Sequence, residues 1–144
     1  MLVVEGQGIP IGLHIASARP NEQVLVAATL QSIRVPQPRG RPRTRPRALA
    51  ADKLFDNQTL RLELRRRWIQ PHIPRISRPH RKTPRRGRPP VLGSIYHERW
   101  IVERSFAWLY LCRRLTVRYE RLLSCYKGFW WLAMVLLCTN RILK

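Results

Sequence analysis

Two stretches rich in arginine and proline divide this chain and limit what it can fold into. Residues 34–47 (RVPQPRGRPRTRPR) contain six arginines, and residues 75–90 contain seven cations with almost no apolar side chains. Proline lacks the amide hydrogen that helices and sheet interiors need, and it favours an extended backbone. We therefore predict two basic loops, with the core built from the three segments around them.

The three remaining segments predict a mixed α/β arrangement with helices at its end. In chain order the predicted elements are a β-hairpin over residues 2–16, a helix over 22–33 capped by Asn21, a short buried strand over 48–51, a helix over 59–68, an edge strand at most over 69–76, a helix over about 94–119 capped by Ser94, and a helix over about 126–143. The helix over 59–68 carries Leu60, Leu64 and Trp68 along one side and arginines on the other.

The charge balance indicates a polyanionic partner. The chain has 28 Lys plus Arg against 8 Asp plus Glu, a net charge of +20. Nearly all the cations are arginine, whose planar guanidinium suits bidentate phosphate contacts. Nucleic acid is the partner that such a field favours, and an anionic membrane surface would be attracted by it as well. A compositional bias towards arginine is the alternative explanation.

The cysteines and the most apolar run predict an intracellular, non-membrane protein. Cys112, Cys125 and Cys138 are spaced 13 residues apart without a CxxC pair, which argues against zinc and favours reduced cytoplasmic thiols at buried helix positions. Residues 129–138 (FWWLAMVLLC) fall short of the roughly 18–20 residues that span a bilayer. We predict a buried core helix there, and the N-terminus lacks the basic region of a signal peptide.

Two of the eight carboxylates, Asp52 and Glu103, stand out from the rest. Asp52 follows a predicted strand, at the edge where functional side chains gather in α/β sheets; a turn or cap aspartate is the alternative, and Asp56 is read as such a residue. Tyr96, Arg99 and Glu103 are at i, i+3 and i+7 and so share one helical face. That face is either the wall of a site or a solvated surface with an Arg99–Glu103 ion pair of about 0.2–0.5 kcal/mol.

Three blocks of the sequence together resemble a known family. LVVEGQGIPIGLHIAS, ALAADKLFDNQTLRLELRRRWIQPHIP and YHERWIVERSFAWLYLCRRLTVRYER are similar, in order, to the DDE transposases of bacterial insertion sequences, in particular the insertion sequence 5 family. The resemblance runs over about residues 2–143. Its most specific part is a Y-x2-R-x3-E signature, present as Tyr96, Arg99 and Glu103.

The resemblance implies an RNase H-like α/β fold, a mixed sheet flanked by helices, in which two Asp and one Glu hold two Mg²⁺ ions. Asp52 matches the second Asp and Glu103 the Glu, so both are expected catalytic residues and metal ligands. Tyr96 and Arg99 match positions that assist at the DNA end. The implied activity is DNA strand cleavage and strand transfer at insertion-sequence ends, by a homo-oligomer when the domain is complete.

The basic loops and the last segment supply the expected DNA contacts. The arginines expected to bind phosphates are Arg39, Arg41, Arg43, Arg45, Arg85, Arg86, Arg113 and Arg114.

Three departures from the family pattern put activity in doubt. The first Asp would lie upstream of the hairpin, and Glu5 does not occupy its position. A small residue is expected where Leu54 stands, and a basic residue where Tyr110 stands, which leaves Arg113 or Arg114 as displaced substitutes. We therefore expect an N-terminally truncated domain that is inactive alone. It is either completed by an upstream reading-frame product carrying the first Asp, or a decayed remnant.

Two other functions remain open from the residues alone. One is a non-enzymatic, arginine-rich nucleic-acid-binding protein, and the other is a basic protein bound to anionic membranes. The transposase interpretation requires Asp52 and Glu103 to share one cleft. The membrane interpretation requires the run over residues 129–138 to be exposed.

Overall fold

The computed structural model describes residues 1–17, 19–76 and 92–143. In chain order the elements are β1 (Leu2–Val4), β2 (Pro10–Leu13), α1 (Glu22–Gln31), β3 (Ala48–Ala50), a 3-10 turn (Lys53–Phe55), α2 (Gln58–Arg66), β4 (Gln70–His72), α3 (Gly93–His97), α4 (Trp100–Tyr110), α5 (Arg113–Thr116) and α6 (Leu123–Ile142). The predicted α/β class is confirmed. Most of the second basic loop, with Arg85 and Arg86, lies outside the described residues.

The predicted hairpin is confirmed. β1 pairs antiparallel with β2, with Leu2 opposite Leu13 and Val4 opposite Pro10. The connection closes through Gly8, whose amide donates to the carbonyl of Glu5 at 2.8 Å. Gly8 has φ +87°, a backbone conformation that favours glycine because a Cβ would clash there.

β3 and β4 form a separate parallel pair, joined through α2 as a βαβ unit. Within the described ranges, β1–β2 and β3–β4 are two sheets of two strands each. The single mixed sheet that the resemblance implied is therefore not formed by these residues. The physical reason is a cleft, described below, that separates β1 from β3.

The hairpin lies between two helical layers. Leu2 and Val4 pack in one core with α4, α5 and α6, whereas Met1 and Val3 pack in a second core with α1 and α2. This division follows from the two-residue period of a strand, which directs alternate side chains to opposite faces. The second core reaches the β3–β4 unit through Leu49.

β2 approaches α1 closely enough to require glycine. A Cβ on Gly12 would lie 2.9 Å from Ile33 Cγ1 and 3.0 Å from the carbonyl oxygen of Thr29. The Ser32 hydroxyl accepts from the amide of Leu13 at 3.0 Å and donates to the Thr29 carbonyl at 2.7 Å. This contact fixes the hairpin on the helix that follows it.

Local capping signals set the starts of α1 and α2. The predicted cap Asn21 accepts a hydrogen bond from the amide of Gln23 at 3.0 Å, and Asn57 accepts one from Thr59 at 2.9 Å. Such side-chain oxygens satisfy amides that have no partner inside the helix. α1 ends at Gln31, two residues before the predicted end.

α2 ends before Trp68, so the predicted apolar side is only partly correct. Leu60 and Leu64 are buried, but Trp68 lies beyond the helix with φ +58° and is 81% exposed. Arg61, expected on the solvent side, is buried. The amide of Ile69 donates to the carbonyl of Leu64 at 2.8 Å, which closes the helix end.

The predicted helix over 94–119 is wrong as one continuous element, because the structure divides it into α3, α4 and α5. At the first division the amides of Arg99, Ile101 and Val102 donate to carbonyls three residues earlier, at 3.0–3.2 Å. This 3-10 geometry winds the chain more tightly than an α-helix and interrupts the helix between α3 and α4. Ser94 lies inside α3 instead of capping it, since α3 begins at Gly93.

The second division occurs where Cys112 adopts an extended conformation (φ −80°, ψ 100°). The hydroxyl of Thr116 donates to the carbonyl of Tyr110 at 3.1 Å, which gives the end of α4 a partner. Leu115 is then buried in the core that α5 and α6 share.

α6 begins at Leu123, three residues before the predicted start, and only one of its faces is buried. The buried residues are Trp130, Ala133, Met134 and Leu137, and the apolar residues at least half exposed are Trp131, Leu132, Val135 and Leu136. The prediction of a buried core helix is wrong for this second face, because α4 and α5 cover only the first. In the described ranges, no helix combines the length and apolarity needed to cross a bilayer.

The three cysteines are free thiols in different environments. Cys125 is exposed, whereas Cys112 and Cys138 are half-buried. Uniformly buried helix positions were predicted, and this is wrong for Cys125 and for Cys112, which lies between α4 and α5. Burial, with a smaller contribution from the charge of Glu5, raises the pKa of the Cys138 thiol.

Candidate active-site cleft

A cavity of about 600 Å³ lies between the two sheets. All residues of β1 and of β3 line it, and side chains of α4 contribute to the same lining. Within the described residues, β1 hydrogen-bonds only to β2 and β3 only to β4. The facing edges of these two strands are therefore unpaired across the cavity.

Asp52 lies directly after β3, at the edge of the cavity. One carboxylate oxygen, Oδ1, accepts a hydrogen bond from the amide of Lys53 at 2.6 Å and caps the 3-10 turn. The other, Oδ2, lies 3.2 Å from Nη1 of Arg99. Asp52 is thus a cap aspartate that also lines the cleft, and its functional role stays a prediction.

Arg99 sits where the chain tightens between α3 and α4. Its side chain is 35% exposed and that of Asp52 40%, so solvent still reaches the pair. The guanidinium carbon lies 5.7 Å from the centre of the Tyr96 ring, within reach of a cation–π contact. Tyr96 also packs edge-on against the ring of His97, with centroids 6.3 Å apart. The Tyr96 ring therefore packs against the Arg99 guanidinium and helps to hold it in place.

Glu103 is exposed, in the first turn of α4, and lines the same cleft as Asp52 and Arg99. Among the described residues its carboxylate makes no ion pair; Arg99 pairs with Asp52 instead. The surface pair Arg99–Glu103, weighed as the simpler explanation of Glu103, is therefore absent from this part of the chain. The tertiary fold brings together one aspartate, one glutamate and one arginine.

The donor set within the described ranges is incomplete for a strongly bound metal. No group of three or more His, Cys, Asp or Glu side chains there is arranged to hold a metal ion. Glu5 and Glu98 are further carboxylates in the lining of the cleft. Carboxylate oxygens are the ligands that Mg²⁺ prefers, so the side chains of Asp52 and Glu103 suit that ion chemically. Two carboxylates are few ligands for Mg²⁺.

The positions that depart from the family pattern have ordinary surroundings. Leu54 is exposed in the 3-10 turn. Tyr110 stacks on Phe106, with ring centroids 5.8 Å apart, at the far end of α4. Arg113 and Arg114 are exposed on α5 and do not line the cleft.

Arg114 already has local partners. Its Nη1 lies 2.9 Å from Oε1 of Glu120, and its guanidinium carbon lies 5.1 Å from the ring centre of Phe129. Burial is the largest influence on Glu120 and would raise its pKa. The hydrogen bond from Arg114, the charge of Arg114 and the backbone hydrogen bonds together outweigh burial, so the net pKa is lowered.

The first basic loop is exposed and more ordered than predicted. Arg39, Arg41, Arg43 and Arg45 are all exposed. Val35 and Arg43 exchange two backbone hydrogen bonds of 2.9 Å, which draws the two ends of the loop tip together.

Two positioning contacts were not predicted from the sequence. Asp56 and Arg61 form a buried ion pair of 2.8 Å, although Asp56 was expected to be an ordinary turn residue. The buried hydroxyl of Ser105 donates to the carbonyls of Gly8 and Ile101, at 3.1 and 2.9 Å, and so ties the hairpin turn to α4. The sequence contained a signal for the first pair. Arg61 precedes the apolar Leu64 by three residues, so the two share one helix face, and an arginine on that face needs a carboxylate partner.

Comparisons with known proteins identify the family of this chain. The family model described as Transposase DDE domain matches residues 1–138. A protein of Burkholderia cepacia, "Putative transposase for insertion sequence element IS402", is 31% identical over 142 residues. The match covers 98% of this chain and 62% of that relative, so the chain spans less than two thirds of the relative's length. No solved structure matches the chain. The chain belongs to the family of transposase DDE domains.

Proposed function

We propose that this chain is the larger part of an RNase H-like catalytic domain for insertion-sequence transposition, of the insertion sequence 5 family. The observation that carries the proposal is that Asp52, Arg99 and Glu103, which are 51 residues apart from first to last (103 − 52), line one cleft. Asp52 and Glu103 are the proposed metal ligands. Arg99, supported by Tyr96, is proposed to contact the scissile phosphate.

The residue types suit phosphodiester chemistry. Asp52 and Glu103 would hold Mg²⁺, which would supply positive charge to stabilise the attacking and leaving oxygens of an in-line displacement. Asp52 and Glu103, which both line the cleft, would present hard oxygen ligands. The guanidinium of Arg99, 3.2 Å from Asp52, orients that carboxylate and is near enough to the cleft to meet phosphate charge.

The unpaired edges of β1 and β3 support the proposal that the domain is truncated. We propose that a strand missing from this chain pairs with these free edges and joins the two sheets. The cleft is lined mainly by apolar residues of both strands, which suits a buried strand. The proposed strand would carry the first Asp near Asp52. It would come from an upstream reading-frame product, or would have been lost from a decayed copy.

The metal ligands can be tested with Mn²⁺ as a paramagnetic probe, titrated against the chain and followed by electron paramagnetic resonance. Because the site has two carboxylates, we expect weak Mn²⁺ binding, with a Kd on the order of 10⁻³ M. Asp52→Asn and Glu103→Gln should each weaken it further, whereas Glu63→Gln, an exposed α2 carboxylate outside the cleft, should leave it unchanged. Equal Mn²⁺ binding by all four proteins would remove the metal roles of Asp52 and Glu103.

Truncation is tested by a cleavage assay and by the DNA upstream of the start codon. We expect the 144 residues alone to show no Mg²⁺-dependent strand cleavage, and an upstream frame to encode a strand that ends in Asp. Adding that product should restore cleavage. Robust metal-dependent cleavage by the isolated chain would refute the proposal of truncation.

The exposed arginines favour a second candidate, a non-enzymatic nucleic-acid-binding protein. Arg39, Arg41, Arg43 and Arg45 are free of the cleft and exposed, and they suffice for phosphate binding without catalysis. Both candidates predict DNA affinity that falls steeply with salt, because neutralised phosphates release counterions. The Mn²⁺ titration separates the two candidates, since the second candidate gives Asp52 and Glu103 no common role, and restored cleavage would likewise favour the first.

Membrane-surface binding is a third candidate, and it required exposure of the run over residues 129–138. That condition is met on one face of α6 only. Family membership favours DNA over lipid as the polyanion. Flotation with anionic vesicles is the corresponding measurement, and we expect no association at a salt concentration that preserves DNA binding.

A further inference from the structure

Trp68 combines an unfavourable backbone conformation with an exposed ring. Among the described residues it is the one non-glycine residue with positive φ, at +58°. Its side chain is 81% exposed, so burial of the indole does not explain its presence. Glycine is the usual residue at such a helix end, and bulky residues in this conformation are outliers. Outliers that the surrounding structure maintains are found preferentially at functional sites.

The backbone of Trp68 is held by the end of α2, independently of its ring. Its amide donates to the carbonyl of Arg65 at 2.9 Å, and the next amide, of Ile69, donates to Leu64 at 2.8 Å. Ile69 and Leu64 are both almost fully buried and anchor this turn in the core. Nη1 of Arg45 donates to the carbonyl of Arg67 at 3.1 Å and connects the basic loop to the same turn. The ring therefore projects from a fixed point beside the loop.

Trp68 lines a groove together with the C-terminal half of the basic loop. The groove has a volume of about 550 Å³, and its lining includes Arg43, Arg45 and Arg47 as well as the apolar Ile33 and Val35. That volume is within the range of about 300–1,000 Å³ typical of small-ligand sites. Arginines beside an exposed aromatic ring are the combination that proteins use to bind single-stranded nucleic acid, through phosphate contacts and base stacking.

We propose that this groove binds one unpaired nucleotide of a DNA strand, with its base stacked on the Trp68 indole and adjacent phosphates on Arg43, Arg45 and Arg47. The inference rests on the proposed function only in taking DNA as the partner, and it involves neither Asp52 nor Glu103. A duplex keeps its bases stacked on each other, so the groove distinguishes frayed or single-stranded DNA from intact duplex.

The substitution Trp68→Gly tests the proposal without endangering the fold, because glycine adopts φ +58° without a Cβ penalty. Fluorescence anisotropy would measure binding of a fluorescein-labelled oligothymidine and of a blunt duplex, at one fixed salt concentration. We expect Trp68→Gly to weaken oligothymidine binding by about 5-fold to 150-fold, the range for one stacked base, and duplex binding less than about 2-fold. Trp68→Phe should retain most of the affinity. Trp131→Ala, which removes an exposed indole on α6, is the matched control and should change neither.

The salt dependence separates stacking from charge. Trp68→Gly should leave the slope of log K against log salt unchanged, whereas Arg43→Gln should reduce its magnitude by roughly 0.7, the value for one phosphate of a single strand. Oligothymidine binding by Trp68→Gly within about 2-fold of the parent chain would overturn the stacking site while leaving the proposed function intact. Failure of the parent chain to bind either DNA would overturn both. A selective loss of oligothymidine binding by Trp68→Gly, with a melting temperature no lower than that of the parent chain, is the expected result.

Discussion

The buried pair Asp56–Arg61 should be the strongest single electrostatic determinant of stability in the described chain. The two side chains are 8% and 9% exposed. Nε and Nη2 of Arg61 donate to Oδ1 of Asp56 at 3.0 and 2.8 Å, and Nη2 also donates to the carbonyl of Ile73 at 2.8 Å. Oδ2 of Asp56 accepts from the amide of Ile76 at 2.8 Å. The pair thus connects α2 to the chain that leaves β4.

Arg61→Met keeps much of the side-chain length and removes the charge and the donors. Removing one partner of a buried ion pair destabilises by about 3–5 kcal/mol, because the buried carboxylate of Asp56 loses the charge and the hydrogen-bond donors of Arg61. The free energy of unfolding of domains of this size is about 5–15 kcal/mol, so the substitution should remove about a fifth of it or more. At about 2–4 °C per kcal/mol, the melting temperature should fall by roughly 6–20 °C.

Urea unfolding followed by tryptophan fluorescence would measure the change, with circular dichroism as a second probe of two-state behaviour. Arg65→Met, on the exposed side of the same helix, is the matched control and should stay within about 0.5 kcal/mol of the parent chain. The double variant Asp56→Leu, Arg61→Met should recover part of the loss, because a carboxylate is then no longer buried without the charge of Arg61. The reasoning is wrong if Arg61→Met unfolds within about 1 kcal/mol of the parent.

Three further predictions concern other parts of the chain. Gly12→Ala should destabilise by about 1–3 kcal/mol in the same urea assay, because its Cβ would lie 3.0 Å from the backbone oxygen of Thr29, which cannot move aside; an unchanged midpoint would contradict this contact. Trp68→Gly should raise the free energy of unfolding by up to about 1 kcal/mol. The substitution relieves about 1–2 kcal/mol of left-handed backbone strain, which exceeds the cost of about 0.5–1 kcal/mol from the greater entropy of glycine in the unfolded chain. A clear loss of stability would mean that the Trp68 ring stabilises the fold. Iodoacetamide should label exposed Cys125 first and Cys138 last. Labelling of Cys138 should rise only at higher pH, because its raised pKa keeps it protonated as a thiol to a higher pH. Mass spectrometry of a pH series checks this order.

Elements with signals close together in the chain were predictable from the sequence. The hairpin at residues 2–13 has glycines at its turn, and α1 has the cap Asn21, so both are found near their expected places. The breaks that separate α3, α4 and α5 were not predictable, because no proline marks them. At the second break the Thr116 hydroxyl donates to the carbonyl of Tyr110, and Leu115 is buried in the core shared with α6.

By itself the sequence determined the α/β class, the hairpin, the polyanion-attracting charge and the pair of acids on which a site should be sought. Only the tertiary structure decided which side chains contact each other. It paired Arg99 with Asp52, 47 positions earlier (99 − 52), and left Glu103, a neighbour on its own helix, open to the cleft. It also exposed half of α6 and placed Trp68 beside the basic loop. The physical reason is that propensity and capping act within a few residues, whereas ion pairs and burial depend on which segments meet.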